Sequence, residues 1–137
     1  LASVEDAVDV SGSKITVRDC TFTAIGDKGI SAGENSQVSV RDCTVESAAI
    51  AVASKDFSQV DVDGLNVLQA TYYGFAVYIK KAEFGPSSVV AKNVTLGEIG
   101  LGDQIVQATC EFSLDGVSVA GVPLDVKELY RQKILGQ

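Results

Sequence analysis

Apolar and polar residues alternate along this chain in a pattern that recurs. Ser-Lys-Ile-Thr-Val-Arg-Asp-Cys-Thr-Phe at Ser13 to Phe22 returns as Ser-Gln-Val-Ser-Val-Arg-Asp-Cys-Thr-Val at Ser36 to Val45. It returns again at Ser58 to Val67 and, more faintly, at Ser87 to Leu96, with offsets of 23, 22 and 29 residues. The apolar positions superpose in columns: Ile15, Val38, Val60, Val89; Val17, Val40, Val62, Ala91; Cys20, Cys43, Leu65, Val94; Phe22, Val45, Val67, Leu96. Within each copy the apolar steps are two, three and two residues. A step of two keeps successive side chains on one face of a strand. The step of three inserts one residue, so the chain bends there and begins a second strand facing the same interior. A third apolar alternation follows in each copy: Ile30/Ala32, then Ile50/Val52, then Phe75/Val77/Ile79, with Val8/Val10 before them and Ile105 after. Gly, Asp, Asn and Ser fill the corners, as turn chemistry requires.

Three short strands per roughly 23 residues describe one turn of a three-sided coil. Stacked coils pair each strand with its equivalent above and below at about 4.8 Å, and each coil depends on its neighbours to bury its inner face. Residues 4–120 accommodate about four to five coils within a single domain, 1–137. The predicted architecture is all-β: a single-stranded, three-sided coil whose stacked turns form parallel sheets. Its ends would expose sheet edges that need cover. At the C-terminus, Val126, Leu129, Tyr130 and Ile134 fall at helical spacing, with Pro123 before them and Gly136 after. A short helix over 124–135, lying against the last coil, is the expectation; a loose tail or a linker is the alternative.

Composition narrows what such a solenoid does. The chain has 18 Asp and Glu against 11 Lys and Arg, a net charge of −7, and no His, Met or Trp. Without histidine there is no Ser-His-Asp or Cys-His centre, no histidine-ligated metal and no imidazole proton shuttle. The acidic balance argues against nucleic acid, whose phosphates need clustered Lys and Arg, and against anionic membrane surfaces. No apolar run is long enough to insert into a bilayer. The missing Met and the opening Leu1-Ala2-Ser3 suggest a piece of a longer protein. Three cysteines make a poor disulfide framework. Cys20 and Cys43 stack within bonding range, but ladder side chains point in parallel, so free buried thiols are expected.

The Ser-x-Val-x-Val-x-x-Cys-x-Val pattern, with its Gly-Ile-Ser and Ala-x-Lys-Asp-x-Ser connections, resembles right-handed parallel β-helix proteins of the pectin-lyase-like superfamily over residues 4 to 120. That resemblance implies the fold, and it spans pectate and pectin lyases, polygalacturonases, epimerases, phage tailspikes and domains without activity. The Asn-Thr-Asp and Asp-Asp signatures of the polygalacturonase-like members are absent, as is their histidine. Pectate-lyase-like members use an Arg or Lys base beside calcium-binding carboxylates.

Material for a site of that kind lies at the coil corners. Glu34 and Asp56 occupy equivalent places on successive coils, as Lys55 and Lys80 do by alignment of the third strand. Asp27 and Lys28 precede the strand of Ile30, and Tyr72 and Tyr73 that of Phe75. Lys55, Lys80 and Lys81 could meet a sugar acid, and Tyr72, Tyr73 or Tyr78 a sugar face. Asp27, Glu34 and Asp56 could offer oxygens to a calcium ion, which would be the one cofactor. The competing reading makes these charges solvated corner residues. The coil from Leu68 to Ser88 is about six residues longer than its neighbours, and extra length in a repeat often marks a binding face. The expected function is a non-catalytic structural or carbohydrate-binding module, with polysaccharide as partner, within a larger surface or secreted protein. The alternative is the core of a lyase-like enzyme acting on uronate-containing polymers. A third reading is an assembly piece that self-associates through its coil ends.

Overall fold

A computed structural model describes residues 2–136. Its elements are β1 (Val8–Ser11), β2 (Lys14–Arg18), β3 (Thr21–Phe22), β4 (Lys28–Gly33), β5 (Gln37–Val45), β6 (Ala48–Lys55), β7 (Gln59–Tyr78), β8 (Ser88–Ile99), β9 (Gly102–Val106), β10 (Glu111–Leu114), β11 (Val117–Val119) and a helix, α1 (Val126–Arg131). They wind into a parallel β-solenoid of about five turns. The first face stacks β2, the openings of β5, β7 and β8, and then β10. The second stacks β3 on the later parts of β5, β7 and β8. The third stacks β1, β4, β6, the end of β7, and β9. Among the described residues only β11 runs antiparallel, folding back on β10.

On the first two faces the repeat columns are the ladders. Ile15, Val38, Val60 and Val89 pair in register and continue to Phe112; Val17, Val40, Val62 and Ala91 continue to Leu114. Their side chains, with Cys43, Leu65, Val45 and Val67, form one continuous interior. The step of three is a corner in left-handed backbone, with Asp19 at φ 54°, Asp42 at 53°, Gly64 at 91°, Asn93 at 56° and Asp115 at 50°. Asp and Asn tolerate that region because their short side chains bond nearby backbone. The Asp115 carboxylate also ties its corner to the neighbouring coil, accepting from the Asn93 N–H at 3.1 Å. Gly64 is required for a further reason: a Cβ there would lie 2.5 Å from the Asp42 carboxylate.

The serine that opens each repeat also has a structural cause. Ser36, Ser58 and Ser87 are buried at the corner between the third face and the first. The Ser58 hydroxyl accepts from the Ser36 N–H at 3.1 Å, and Ser36 accepts from the Ser13 N–H at 3.2 Å while donating to the Gly33 carbonyl at 2.7 Å. Ser87 donates to the Tyr78 carbonyl at 2.7 Å. A corner carrying peptide groups inward must answer them from side chains, and this ladder does so coil by coil.

The third face departs from the period-two expectation. Val52 pairs with Ile30 and Phe75, but Ile50 pairs with Lys28 and Tyr73 and packs outside, in a second cluster with Ala53, Ala76, Tyr78 and Leu135. Likewise Ile105 packs in that outer cluster, and Val106 is the interior residue. The register shifts between Ala48 and Ile50. This face is apolar on both sides because the C-terminal segment covers its outside. Alternation therefore cannot say which residues point inward. Lys55 consequently pairs with Tyr78, two residues short of the Lys80 that sequence alignment suggested.

The helix is shorter than 124–135. Asp125 caps it, accepting from the Glu128 N–H at 3.1 Å. It ends in a Schellman-type turn: Lys133 sits at φ 61°, its N–H bonds the Tyr130 carbonyl, and the Ile134 N–H bonds the Leu129 carbonyl. The turn redirects the chain so that Leu135 is fully buried.

Candidate functional site

The charged and aromatic residues singled out from the sequence gather mostly around the outer side of the third face and its corner with the first. There the C-terminal segment lies over them. Val126, Leu129, Tyr130 and Leu135 pack on Ile50, Ala53, Ala76, Tyr72, Tyr73 and Tyr78. Tyr78 is fully buried, its phenol 2.6 Å from that of Tyr130, and the two rings meet edge to face. Burial drives the Tyr130 phenol up to about 12 and the Tyr78 phenol well above its usual range. The Lys80 ammonium sits 4.7 Å from the centre of the Tyr130 ring, and that of Lys28 at 6.0 Å.

Lys28 is 2% exposed and pairs with Asp27 at 3.3 Å. Asp27 is itself half-buried, and burial raises its pKa against the opposing pull of Lys28. Lys55 runs across Gly33, where a Cβ would come 3.1 Å from its Cε. Burial, reinforced by the Lys28 and Lys80 charges, lowers the Lys55 pKa. The Ser31 hydroxyl on the same face is buried and has no partner among the described residues.

Asp56 is 1% exposed and its Oδ1 accepts from the N–H groups of Lys80 at 2.7 Å and Lys81 at 2.8 Å. It therefore moors the irregular segment between β7 and β8. Glu34, at the equivalent corner one coil earlier, accepts from the Lys81 ammonium at 2.5 Å; that bond lowers the Glu34 pKa and raises that of Lys81. Asp27 thus turns to the Lys28 ammonium, Glu34 to the Lys81 ammonium, and Asp56 to the Lys80 and Lys81 amides. Among the described residues no group of three or more His, Cys, Asp or Glu is placed to hold a metal ion. The residues do not fit the calcium arrangement that the resemblance implies. Cys20 and Cys43 are free thiols; Cys43 is buried and Cys20 half-buried, and burial raises the Cys43 pKa.

A different surface remains open. The outer side of the first face carries Lys14, Gln37, Gln59 and Ser88 in one in-register row and Thr16, Ser39, Asp61 and Val90 in the next. Together these rows line an open groove of about 660 Å³ spanning four coils. Asp61 is held by Arg41, which donates to its carbonyl at 2.9 Å and its carboxylate at 3.2 Å. Among the described residues, Lys14, Thr16, Gln37, Ser39 and Gln59 have no side-chain hydrogen bond or ion pair. Their signal lies in the repeat itself, in the polar positions between the valines.

A family model described as a right handed beta helix region matches residues 3–118. The chain belongs to that family. The match covers the whole solenoid, from the first partial coil to the β10–β11 fold-back, and the wider resemblance to the pectin-lyase-like superfamily is consistent with it. No curated protein and no solved structure matches this β-helix. The family defines its winding and leaves its ligand to be argued from the surface.

Proposed function

We propose that this β-helix is a non-catalytic carbohydrate-binding module that takes a polysaccharide along the groove of its first face. The observation that carries this reading is the double row on the first face, in which Lys14, Thr16, Gln37, Ser39 and Gln59 have no side-chain hydrogen bond or ion pair among the described residues. The rows repeat at the strand spacing of about 4.8 Å, close to the length of one sugar unit. Amides and hydroxyls at Gln37, Gln59, Thr16 and Ser39 offer both donors and acceptors to sugar hydroxyls. Parallel ladders hold them rigidly, which lowers the ordering cost of binding. Of the corner acids, Asp56 holds the Lys80 and Lys81 amides, Glu34 the Lys81 ammonium and Asp27 the Lys28 ammonium, which leaves the first face as the open polar surface.

Affinity electrophoresis and calorimetry against a panel of neutral and uronate-containing polysaccharides test the proposal. Retardation by at least one polymer, lost in Gln37→Ala/Gln59→Ala with an unchanged melting temperature, is the expected result. No binding across the panel overturns it. So does an absorbance rise from unsaturated products on incubation with uronate polymers, with or without calcium.

A further inference from the structure

The coil that is longer than its neighbours builds one wall of a second cavity. This cavity, of about 760 Å³, opens between the connection that follows β7 and the segment that leads into α1. Ile79, Lys80 and Ala82 line one side and Pro123 to Lys127 the other, with Gln107, just after β9, between them. Its volume falls in the range of roughly 300–1,000 Å³ that small-molecule sites occupy. No residue lines both this cavity and the groove of the first face. Both walls are held by main-chain bonds. The Asp56 carboxylate fixes the connection through the Lys80 and Lys81 amides, and the Phe84 N–H closes on the Lys81 carbonyl at 3.0 Å. Opposite, the Val122 N–H bonds the Val106 carbonyl at 2.9 Å and the Ala108 N–H bonds the Val122 carbonyl at 2.8 Å. Walls fixed in this way need little reordering to take a ligand.

The lining combines apolar surface with a surplus of donors. Ile79, Leu124 and Val126 are half-buried, and Ala82 and Pro123 are exposed. Two exposed ammoniums, Lys80 and Lys127, stand against one carboxylate, Asp125. Neither lysine has an ion pair among the described residues, whereas Asp125 accepts from the Glu128 N–H at 3.1 Å to cap the helix. The Lys80 ammonium is drawn across to the helix, 4.7 Å from the centre of the Tyr130 ring, so its long side chain is already partly ordered. Gln107 spends its Oε1 on the Ile79 N–H at 2.7 Å, which leaves its amide NH2 as a further donor. Ammoniums and an amide donor beside aliphatic walls suit a ligand with an anionic head and an apolar body.

We infer that this cavity is a binding site for a small amphipathic carboxylic acid. Lys80, Lys127 and the Gln107 amide meet its carboxylate, and its apolar body lies against Ile79, Leu124 and Val126. Calorimetry of the 137-residue chain with naphthoate tests it, with naphthylmethanol as the neutral counterpart on the same ring. The expected result is one site per chain with a dissociation constant below about 1 mM, and binding of the alcohol weaker by about fivefold or more. Lys80→Gln/Lys127→Gln should weaken naphthoate binding about tenfold and Lys127→Gln alone about threefold, because each exposed charge acts modestly. Lys127→Gln reads the charge without disturbing the contact between Lys80 and Tyr130. Ala82→Trp, at an exposed position of the wall, should fill the cavity and abolish binding with circular dichroism and melting temperature unchanged. Lys14→Gln, in the groove of the first face, should leave naphthoate binding as it is, which separates this site from that groove. No saturable binding below about 1 mM overturns the inference, as do equal affinities for the acid and the alcohol, or binding indifferent to both Lys127→Gln and Ala82→Trp.

Discussion

Replacing Ser58 with alanine tests the serine ladder that joins the coils. The Ser58 hydroxyl is fully buried and accepts from the Ser36 N–H at 3.1 Å. Its removal leaves that amide buried with no acceptor, a cost of about 1–3 kcal/mol. For a chain of this length, each kcal/mol lowers the melting temperature by roughly 4 °C, so a fall of roughly 4–12 °C is expected. Ser13 supplies the internal comparison. It occupies the same repeat position, but it is exposed and its hydroxyl donates only to the Ser11 carbonyl at 3.0 Å. Ser13→Ala should therefore stay within about 0.5 kcal/mol of the parent. Because a solenoid is held by neighbour contacts, amide exchange gives a second readout: the Ser36 amide should exchange roughly 5- to 150-fold faster in Ser58→Ala, with little change in coils farther away. Equal melting shifts for Ser13→Ala and Ser58→Ala, or an unchanged Ser36 amide, would refute the ladder as a stabilising device.

Asp56→Ala removes the acceptor shared by the Lys80 and Lys81 amides, each charge-assisted bond being worth about 1.5–3 kcal/mol. Trypsin should then cut at Lys80 or Lys81 much faster, while Asp56→Asn, which keeps an acceptor oxygen, stays near the parental rate; equal rates for both variants would count against the mooring role. Alkaline titration probes the C-terminal segment. Burial holds Tyr130 near 12 in the folded chain against a usual value of 10.0, so its neutral form contributes stability fully present below about pH 10 and lost as pH rises toward 12. Phenolate absorbance should show a delayed step accompanied by release of the segment, and a single step near pH 10 for all tyrosines would contradict it. Val40→Asp buries an unpaired carboxylate at a position with no exposure, at a cost comparable to the whole stability of a domain; a variant with the parent's β-sheet spectrum and melting temperature would refute the register of the first face.

What the sequence determined by itself was the winding. On the first two faces one side of each strand is dry and the other wet, so apolar spacing alone locates Ile15, Val17, Cys20 and Phe22 and their equivalents in the interior. The insertion of one residue marks each corner of the first two faces, where Asp19, Asp42, Gly64, Asn93 and Asp115 take left-handed backbone. The third face was undecided for the converse reason. With Ile50, Ala53, Ala76 and Tyr78 packed outside and Val52, Phe75 and Val77 inside, both sides read as apolar, and only the covering C-terminal segment explains why. The candidate charges were legible as corner residues, but their partners were not. Whether a carboxylate faces solvent, a lysine or a backbone amide depends on the register between coils. A two-residue shift placed Lys55 beside Tyr78 and left Asp56 to hold Lys80 and Lys81 by their amides. Tertiary structure likewise decided how the first face ends, because β11 reverses direction on β10 there, and a short apolar run carries no mark of the direction in which it will pair.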